Sequence, residues 1–401
     1  MSEDSRYALP ARSGEKHPSP LRIAFGIYSL AVRGGLEDQC IRLARELGER
    51  GHQVTLFCVR ATDPLPSTVV QLSPRWRPLS NHARMQRFAY DFVNATAKGF
   101  DRTVTFQPVP HADILFCADM PRTRATIPVY KRLSRRHRIM ASLEAGVFGI
   151  QAKTRIICLA RPQAEAYIAA HATPPARVPL MPPSVDVGRR QPERRSAGNR
   201  ADRRAALGLS STDTAWLWLG LQPEIKGLDR AVAALAHHPH ARLLVGGLSS
   251  GDRKAQPILR LAAAAGVKQR IQWLGYLSGD LWLDTMAAAD MLVHPARVDV
   301  TGAVILEALI NGLPVVTTSN CGFAEHVTRS GAGLVVDQPF SSDALAAAIG
   351  TVAMKAASLS ELGIAYGREN DLYTGLKIAA DLIEAPIWQT AMPGSEDTIS
   401  R

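Results

Sequence analysis

Cysteine is scarce in this chain of 401 residues: there are five, at Cys40, Cys58, Cys117, Cys158 and Cys321, and no two form a C-x-x-C pair. That spacing argues against a disulfide framework or a zinc site. Four of the five lie in apolar runs, where a free thiol behaves as a small hydrophobe. Reduced, buried thiols fit the cytosol. Aromatic residues make up only 6% of the chain, and no recognisable nucleic-acid module interleaves them with basic residues, so nucleic acid is not expected as a partner. No apolar run approaches the roughly 20 residues of a membrane span. The opening Met1-Ser2-Glu3-Asp4-Ser5-Arg6 lacks the apolar stretch of a signal peptide, and a cytoplasmic location is expected. A G-x-G-x-x-G fingerprint is missing around Leu244–Gly251, which weighs against a dinucleotide enzyme. No D-x-D pair occurs either, so neither a metal nor a resident cofactor is expected.

Hydrophobic residues (46%) and charged residues (21%) stand in the proportions of a soluble globular protein. The length suggests two domains, each able to build its own core. The net charge of +11 is lopsided: residues 1–186 hold 26 Lys and Arg against 15 Asp and Glu, whereas the remaining residues hold 21 of each. Excess positive charge confined to one half points to an anionic partner there.

Residues 1–20, rich in Pro, Ser and charge, read as a tail. Ile23–Tyr28 is a buried strand, Gly34-Gly35 a turn, and Leu36, Cys40, Leu43 and Leu47 fall on one helical face. Gln53–Val59 is the next strand, and this unit implies a parallel sheet with right-handed crossovers. Further strands are expected at 103–106, 113–117 and 154–159. Between Met181 and Arg204, Pro182-Pro183 leads into an Arg-rich stretch without apolar periodicity, which marks a domain boundary. The expected organisation is a first domain over 21–182, a linker over 183–205, a second domain over 206–365, a terminal helix over 366–385 able to pack back on the first domain, and a tail over 386–401. In the second half, strands at 215–219, 241–245, 270–274, 291–293 and 314–317 alternate with helices near 227–238, 255–265, 280–289, 302–311 and 341–354. The architecture is α/β, used twice.

Open parallel sheets bind ligands at the carboxyl ends of their strands, where helix N-termini present free amides. Gly34-Gly35 could bring its backbone against a phosphate, or could be a tight turn with no ligand. The segment from His294 to Ala308 pairs two acids eight apart, Asp299 and Glu307, around a helix opened by Gly302. Amides after Gly302 would face an anion, and Glu307 would lie about a turn and a half further in, able to accept hydrogen bonds from vicinal hydroxyls.

From about Arg22 to Glu384 the sequence resembles the retaining GT-B glycosyltransferases of family 4, and among them those that glucosylate the lipopolysaccharide core. The resemblance is carried by Gly34-Gly35-Leu36, Asn81-His82-Ala83-Arg84, Ile114–Asp119, Pro182-Pro183, Lys226-Gly227-Leu228-Asp229-Arg230, Ala287–Asp290, His294-Pro295-Ala296, the Asp299–Glu307 motif, Gly312-Leu313-Pro314, Cys321-Gly322 and Asp371-Leu372-Tyr373. It implies two Rossmann-like, doubly wound domains facing a central cleft. It also implies transfer of a hexose, with glucose from UDP-glucose the first choice, to a heptose of the lipid A-linked inner core, with retention of configuration. Lys226 would neutralise the leaving diphosphate, and Gly302, Ala303, Val304, Ile305 and Leu306 would supply amides to it. Glu307 would hold the ribose, Asp299 would contact the transferred sugar, and Gly34 and Gly35 would face the phosphates from the first domain. Asp119 would bind or activate the acceptor hydroxyl, or else cap a helix; Asn81, His82 and Arg84 are acceptor candidates. Two departures stand out. The family's first acid is usually Glu, and the family's Arg shortly before the Lys is missing from Gly220–Ile225. Another family 4 acceptor, or a non-catalytic membrane-binding homologue, remain open as alternatives.

Arg122, Arg124, Lys131, Arg132, Arg135, Arg136 and Arg138 fall within 17 residues that contain no acid. Val129, Leu133, Met140 and Leu143 could form one stripe of a basic amphipathic helix with Pro128 near its start. Such a helix either packs on its own domain with a solvated basic face or lies on an anionic membrane. With a lipid-linked acceptor implied, peripheral attachment to the cytoplasmic face of the inner membrane is expected.

Overall fold

A computed structural model describes residues 19–31, 34–61, 68–72, 80–122 and 133–386. The chain forms two compact units, residues 1–181 together with 376–401, and residues 182–375.

The first unit carries a six-stranded parallel sheet of β1 (Arg22–Gly26), β2 (Gln53–Cys58), β3 (Thr68–Gln71), β4 (Arg102–Thr105), β5 (Ile114–Cys117) and β6 (Arg155–Cys158), in spatial order β3-β2-β1-β4-β5-β6. Strands β1, β5 and β6 are buried nearly throughout, because helices cover both faces of a parallel sheet. Helix α1 (Gly35–Glu49) lays Cys40, Leu43, Ala44 and Leu47 against Ile23, Phe25 and Leu56. On the other face α2 (Asn81–Thr96) and α3 (Arg135–Phe148) bring Phe88, Phe92 and Leu143 to Phe57; the Phe57 and Phe92 rings meet edge to face with centroids 5.7 Å apart. Helix α4 (Arg161–His171) follows β6.

The second unit repeats the plan with β7 (Thr214–Leu219), β8 (Ala241–Gly246), β9 (Ile271–Gly275), β10 (Met291–His294), β11 (Val315–Thr318) and β12 (Gly333–Val336), ordered β9-β8-β7-β10-β11-β12. Its helices are α5 (Ala197–Ala206), α6 (Leu228–Leu235), α7 (Gln256–Ala264), α8 (Gly279–Ala288), α9 (Ala303–Ile310), α10 (Ala324–Ser330), α11 (Ser342–Met354) and α12 (Ala356–Glu369). After β9 the chain returns past β7 to build β10, so the order reverses between β7 and β10 and opens a crevice at their carboxyl ends.

Two segments differ from the sequence reading. The stretch 183–205 is part of the second unit: it folds into short 3-10 turns and α5. It shows no apolar stripe because it docks through arginines. Arg194 and Arg203 both bind Asp284 (2.7 and 2.5 Å), Arg200 and Arg204 bind Asp290 (2.5 and 3.0 Å), and Arg195 caps the carbonyls of Met286 and Ala289 at the end of α8. The second unit then runs on to Gly375 rather than ending near 365. The last helix, α13 (Gly375–Glu384), belongs to the first unit's core through Ala379, Ala380 and Ile383. Arg50 bonds to Asp381 at 2.6 Å, and His52 to Glu384 at 2.9 Å.

Candidate functional site

The strand order places the loops after β7 and β10 side by side, and these loops carry Lys226 and Asp299. The β7 loop ends at Gly227, whose φ of +72° and whose approach to Pro295, with a Cβ built there 2.0 Å from the Pro295 carbonyl oxygen, exclude a side chain. The buried Trp218 indole donates to the Lys226 carbonyl (3.0 Å), and the Arg297 amide donates to the Ile225 carbonyl (2.8 Å). Backbone and indole together fix where Lys226 starts.

Lys226 Nζ lies 2.7 Å from Asp299 Oδ2. The same oxygen lies 2.9 Å from Nε2 of His294, the last residue of β10 and only 1% exposed. Asp299 is held by its own backbone as well, donating to the Asn320 carbonyl and accepting from the Gly322 amide. Burial would raise the Asp299 carboxyl, but hydrogen bonding to His294, and then Lys226, hold it well below the usual carboxylate range. Burial likewise disfavours a charged His294 ring, yet the Asp299 carboxylate, helped by the neighbouring Cys321 thiol, holds it up at about 9. The site therefore contains a buried carboxylate that meets Lys226 and the His294 ring through one oxygen, an arrangement that favours the charged form of both partners.

Helix α9 starts beside this cluster. Gly302 precedes it at φ +75°, and a Cβ there would meet Ile305 Cδ1 at 2.9 Å. The Ile305 amide is committed to the Gly302 carbonyl at 2.8 Å. Among the five residues 302–306, the exposed Ala303 and half-buried Val304 bring the first-turn amides nearest to solvent. Glu307 is buried one turn on, and its Oε1 accepts from Arg189 at 2.5 Å. Arg189 also lies over the Trp282 ring, 5.4 Å from its centroid. Asn311 secures this arrangement, donating to the carbonyls of Arg189 and Glu307 (2.8 Å each) and accepting from the Gln191 amide at 2.7 Å. Arg189 and Asn311 escaped the sequence reading; the one signal was the Asp186-x-Gly188 turn after the proline pair, where Asp186 caps the Gly188 amide.

Among the described cations around the loop that lacks the arginine, Lys254 donates to the Leu221 carbonyl at 3.1 Å. Arg297 is bound in a bidentate pair to Asp229 (2.8 and 2.7 Å). Arg230 stacks on Phe340 and donates to the Pro295 carbonyl at 3.1 Å.

In the first unit, Gly34 and Gly35 open α1 at the carboxyl side of β1. The Gly34 amide is already taken by the Glu37 carboxylate at 3.0 Å, whereas Gly35 has open space where a side chain would stand. Asp119 follows β5, exposed at its residue surface; surrounding protein raises its carboxyl above the usual range, against the pull of Arg122. Asp119 caps no described helix. The Gln163 amide donates to the carbonyls of both Cys117 and Asp119 (2.8 Å each), so α4 sets this loop. Asn81, His82 and Arg84 form the first turn of α2, with His82 bonded to Ser80 Oγ at 3.0 Å.

The basic stretch divides. Arg122 is turned to the buried Glu144, at 3.4 Å, and so is no free cation. Arg124, Lys131 and Arg132 lie outside the described residues, as do Pro128 and Val129. Arg135, Arg136 and Arg138 are exposed on the first turn of α3. Leu133 is 84% exposed and stands outside the packed stripe, which is Ile139, Met140, Leu143 and Val147. A shallow cavity of about 310 Å³ lined by Gln86, Arg135, Arg138, Ile139 and Ser142 lies between α2 and α3. No single described helix is long and apolar enough to cross a membrane.

Comparison with known proteins agrees with this geometry. The profile described as Glycosyltransferase Family 4 matches residues 33–189, and that described as Glycosyl transferases group 1 matches residues 200–363. The lipopolysaccharide glucosyltransferase WaaG of Escherichia coli K12 is 30% identical over 378 residues, covering 90% of this chain and 98% of that protein. A D-inositol 3-phosphate glycosyltransferase of Mycobacterium sp. KMS is 31% identical over 185 residues, 46% of this chain and 41% of that one. Among solved structures, WaaG superposes with a TM-score of 0.82 at 27% identity, over 90% of this chain and 99% of that one. The HepE structure from Anabaena with UDP and glucose shares the fold, with a TM-score of 0.70 at 18% identity over 91% and 100% of the two chains.

Proposed function

The chain belongs to the family 4 glycosyltransferases, with two Rossmann-like domains of the GT-B fold, and from that premise we propose that it transfers glucose from UDP-glucose to a heptose of the lipopolysaccharide inner core, retaining the anomeric configuration. The observation that carries this reading is the meeting of Lys226, Asp299 and the α9 N-terminus at the one point where the second sheet reverses its order. A departing diphosphate gains negative charge, and a preorganised cation beside helix amides stabilises that charge without reorganisation. In this reading Asp299 receives a hydroxyl of the transferred hexose, and Glu307 the ribose hydroxyls. For that, Arg189 has to share Glu307 with the nucleotide. The acceptor oxygen would attack from the face the diphosphate leaves, with the donor held in position supplying much of the rate gain. Asp119, with its raised carboxyl, would accept or orient the acceptor hydroxyl, and Asn81, His82 and Arg84 of the same unit are the other acceptor candidates. No metal and no resident cofactor enter this scheme.

The choice of acceptor rests on the near full-length similarity to a lipopolysaccharide glucosyltransferase. A lipid-linked acceptor calls for work at a membrane surface, and the exposed Arg135, Arg136 and Arg138 suit an anionic cytoplasmic leaflet. Incubation with a panel of nucleotide sugars and truncated heptose-bearing core acceptors, with products read by mass, tests the proposal. Addition of one hexose from UDP-glucose is the expected result; transfer only to unrelated acceptors, or from another nucleotide sugar alone, would overturn it.

A further inference from the structure

One carboxylate oxygen serves two cations at the donor site: Asp299 Oδ2 meets Lys226 Nζ at 2.7 Å and His294 Nε2 at 2.9 Å, and no described residue donates to Oδ1. The two cations differ in freedom. Lys226 is a flexible side chain on a loop, about one quarter exposed. His294 is fully packed at the end of β10, with its carbonyl held by Thr317 Oγ1 at 3.0 Å. The titratable groups that act on the ring are Asp299 and the Cys321 thiol of the β11 side, with Lys226 on the far side of the shared carboxylate oxygen, and the buried Nδ1 has no hydrogen-bond partner among the described residues. Arg230 of α6 is bonded one residue further on, to the Pro295 carbonyl.

A buried carboxylate abandoned by its partner is strongly destabilised. If Lys226 were the sole partner, it could not move to a diphosphate without stranding Asp299. A second, immobile cation removes that obstacle. We infer that His294 is a positioning residue for transfer: its ring, bonded to Asp299 Oδ2, holds that carboxylate in place while Lys226 exchanges from Asp299 to the donor diphosphate, leaving Oδ1 to face the hexose. The inference rests on the glycosyltransferase reading above and adds to it a residue that touches neither donor nor acceptor.

The test is His294→Gln, whose amide can still donate to Oδ2 but carries no charge. In the folded variant kcat should fall about tenfold to a hundredfold, with KM for UDP-glucose changing far less, because the loss falls on the step at which Lys226 is needed elsewhere. The wild-type rate should also show an alkaline limb near pH 9 that the variant lacks. Wild-type kcat in the variant, or an unchanged alkaline limb, overturns the inference while leaving the glycosyltransferase reading intact. Failure of the wild-type protein to bind or turn over any nucleotide sugar overturns both, and so is told apart. Should the variant not fold, ¹⁵N imidazole spectra of the wild-type protein decide: His294 doubly protonated at pH 8, free and with UDP-glucose bound, is expected, and a neutral ring in either state overturns the inference.

Discussion

At the residue scale, the site turns on which charge compensates which. Lys226 is the one side chain proposed to move onto the diphosphate, so Lys226→Ala should lower turnover about a hundredfold or more while the protein still melts cooperatively. Steady-state kinetics with UDP-glucose check this, and near-normal turnover would remove Lys226 from the mechanism. Glu307 should act on the nucleotide instead of the hexose. Glu307→Gln should weaken UDP itself in calorimetric titration, and Arg189→Ala should change UDP affinity as well, because Arg189 occupies the same carboxylate at 2.5 Å. The buried pair also makes stability depend on pH. The folded His294 value, about 9, lies above the ordinary 6.5, so its contribution is complete below about pH 6.5 and is lost as the pH rises through 9. The depressed Asp299 carboxyl works in the other direction: its contribution is present above the ordinary carboxylate value and is lost only on acidification. Melting temperatures of wild type and His294→Gln should therefore converge between pH 6.5 and 9.5. Parallel curves would show that the ring carries no extra proton.

At the element scale, turns required by packing do the positioning. Gly227→Ala would set a Cβ against the Pro295 carbonyl at a positive φ, and should cost roughly 2 kcal/mol or more of stability in denaturant unfolding. Trp218→Phe keeps the ring in its buried place but removes the donor to Lys226; it should reduce turnover more than it reduces stability. These elements also show what a sequence can reveal. The strands at 22–26, 214–219 and 291–294 were legible because parallel strands buried on both faces read as largely apolar runs. Lys226 and Asp299 stood out in the sequence because they follow strands at turns, and Glu307 because it lies eight residues past Asp299 within the helix opened by Gly302. Helix α12 was not: its buried face is Gly363, Tyr366 and Gly367, and the two glycines let it approach Leu309 and Ile310 of α9, so no stripe of large apolar residues announces it. The segment 183–205 was hidden for a related reason, since arginine-to-carboxylate and arginine-to-carbonyl bonds carry no hydrophobic period. Arg189 and Gln163 lie far in sequence from the groups they orient, Glu307 and Asp119, and only the fold brings them there.

At the scale of the whole molecule, the charge distribution makes a prediction of its own. All of the +11 excess lies within residues 1–186, and in the described part of the basic stretch the exposed cations are Arg135, Arg136 and Arg138 at the start of α3, beside an 84% exposed Leu133. Arg122 does not join them, because it is spent on Glu144. A Lys or Arg near an anionic bilayer contributes about 1 kcal/mol, and the field decays within a Debye length of about 8–10 Å at moderate salt. Three such residues, with one exposed leucine and no apolar face left unpacked on α3, support reversible adsorption without insertion. The protein should therefore sediment with vesicles rich in anionic lipid at low salt, ignore neutral vesicles, and be released as salt is raised. Changing Arg135, Arg136 and Arg138 to Ser should weaken that partition by about tenfold to a hundredfold, while UDP affinity, which the proposal assigns to residues other than these three, stays as it was. Equal binding of the triple variant and the wild type would make this end of α3 a solvated face and move the anionic partner elsewhere on the first unit.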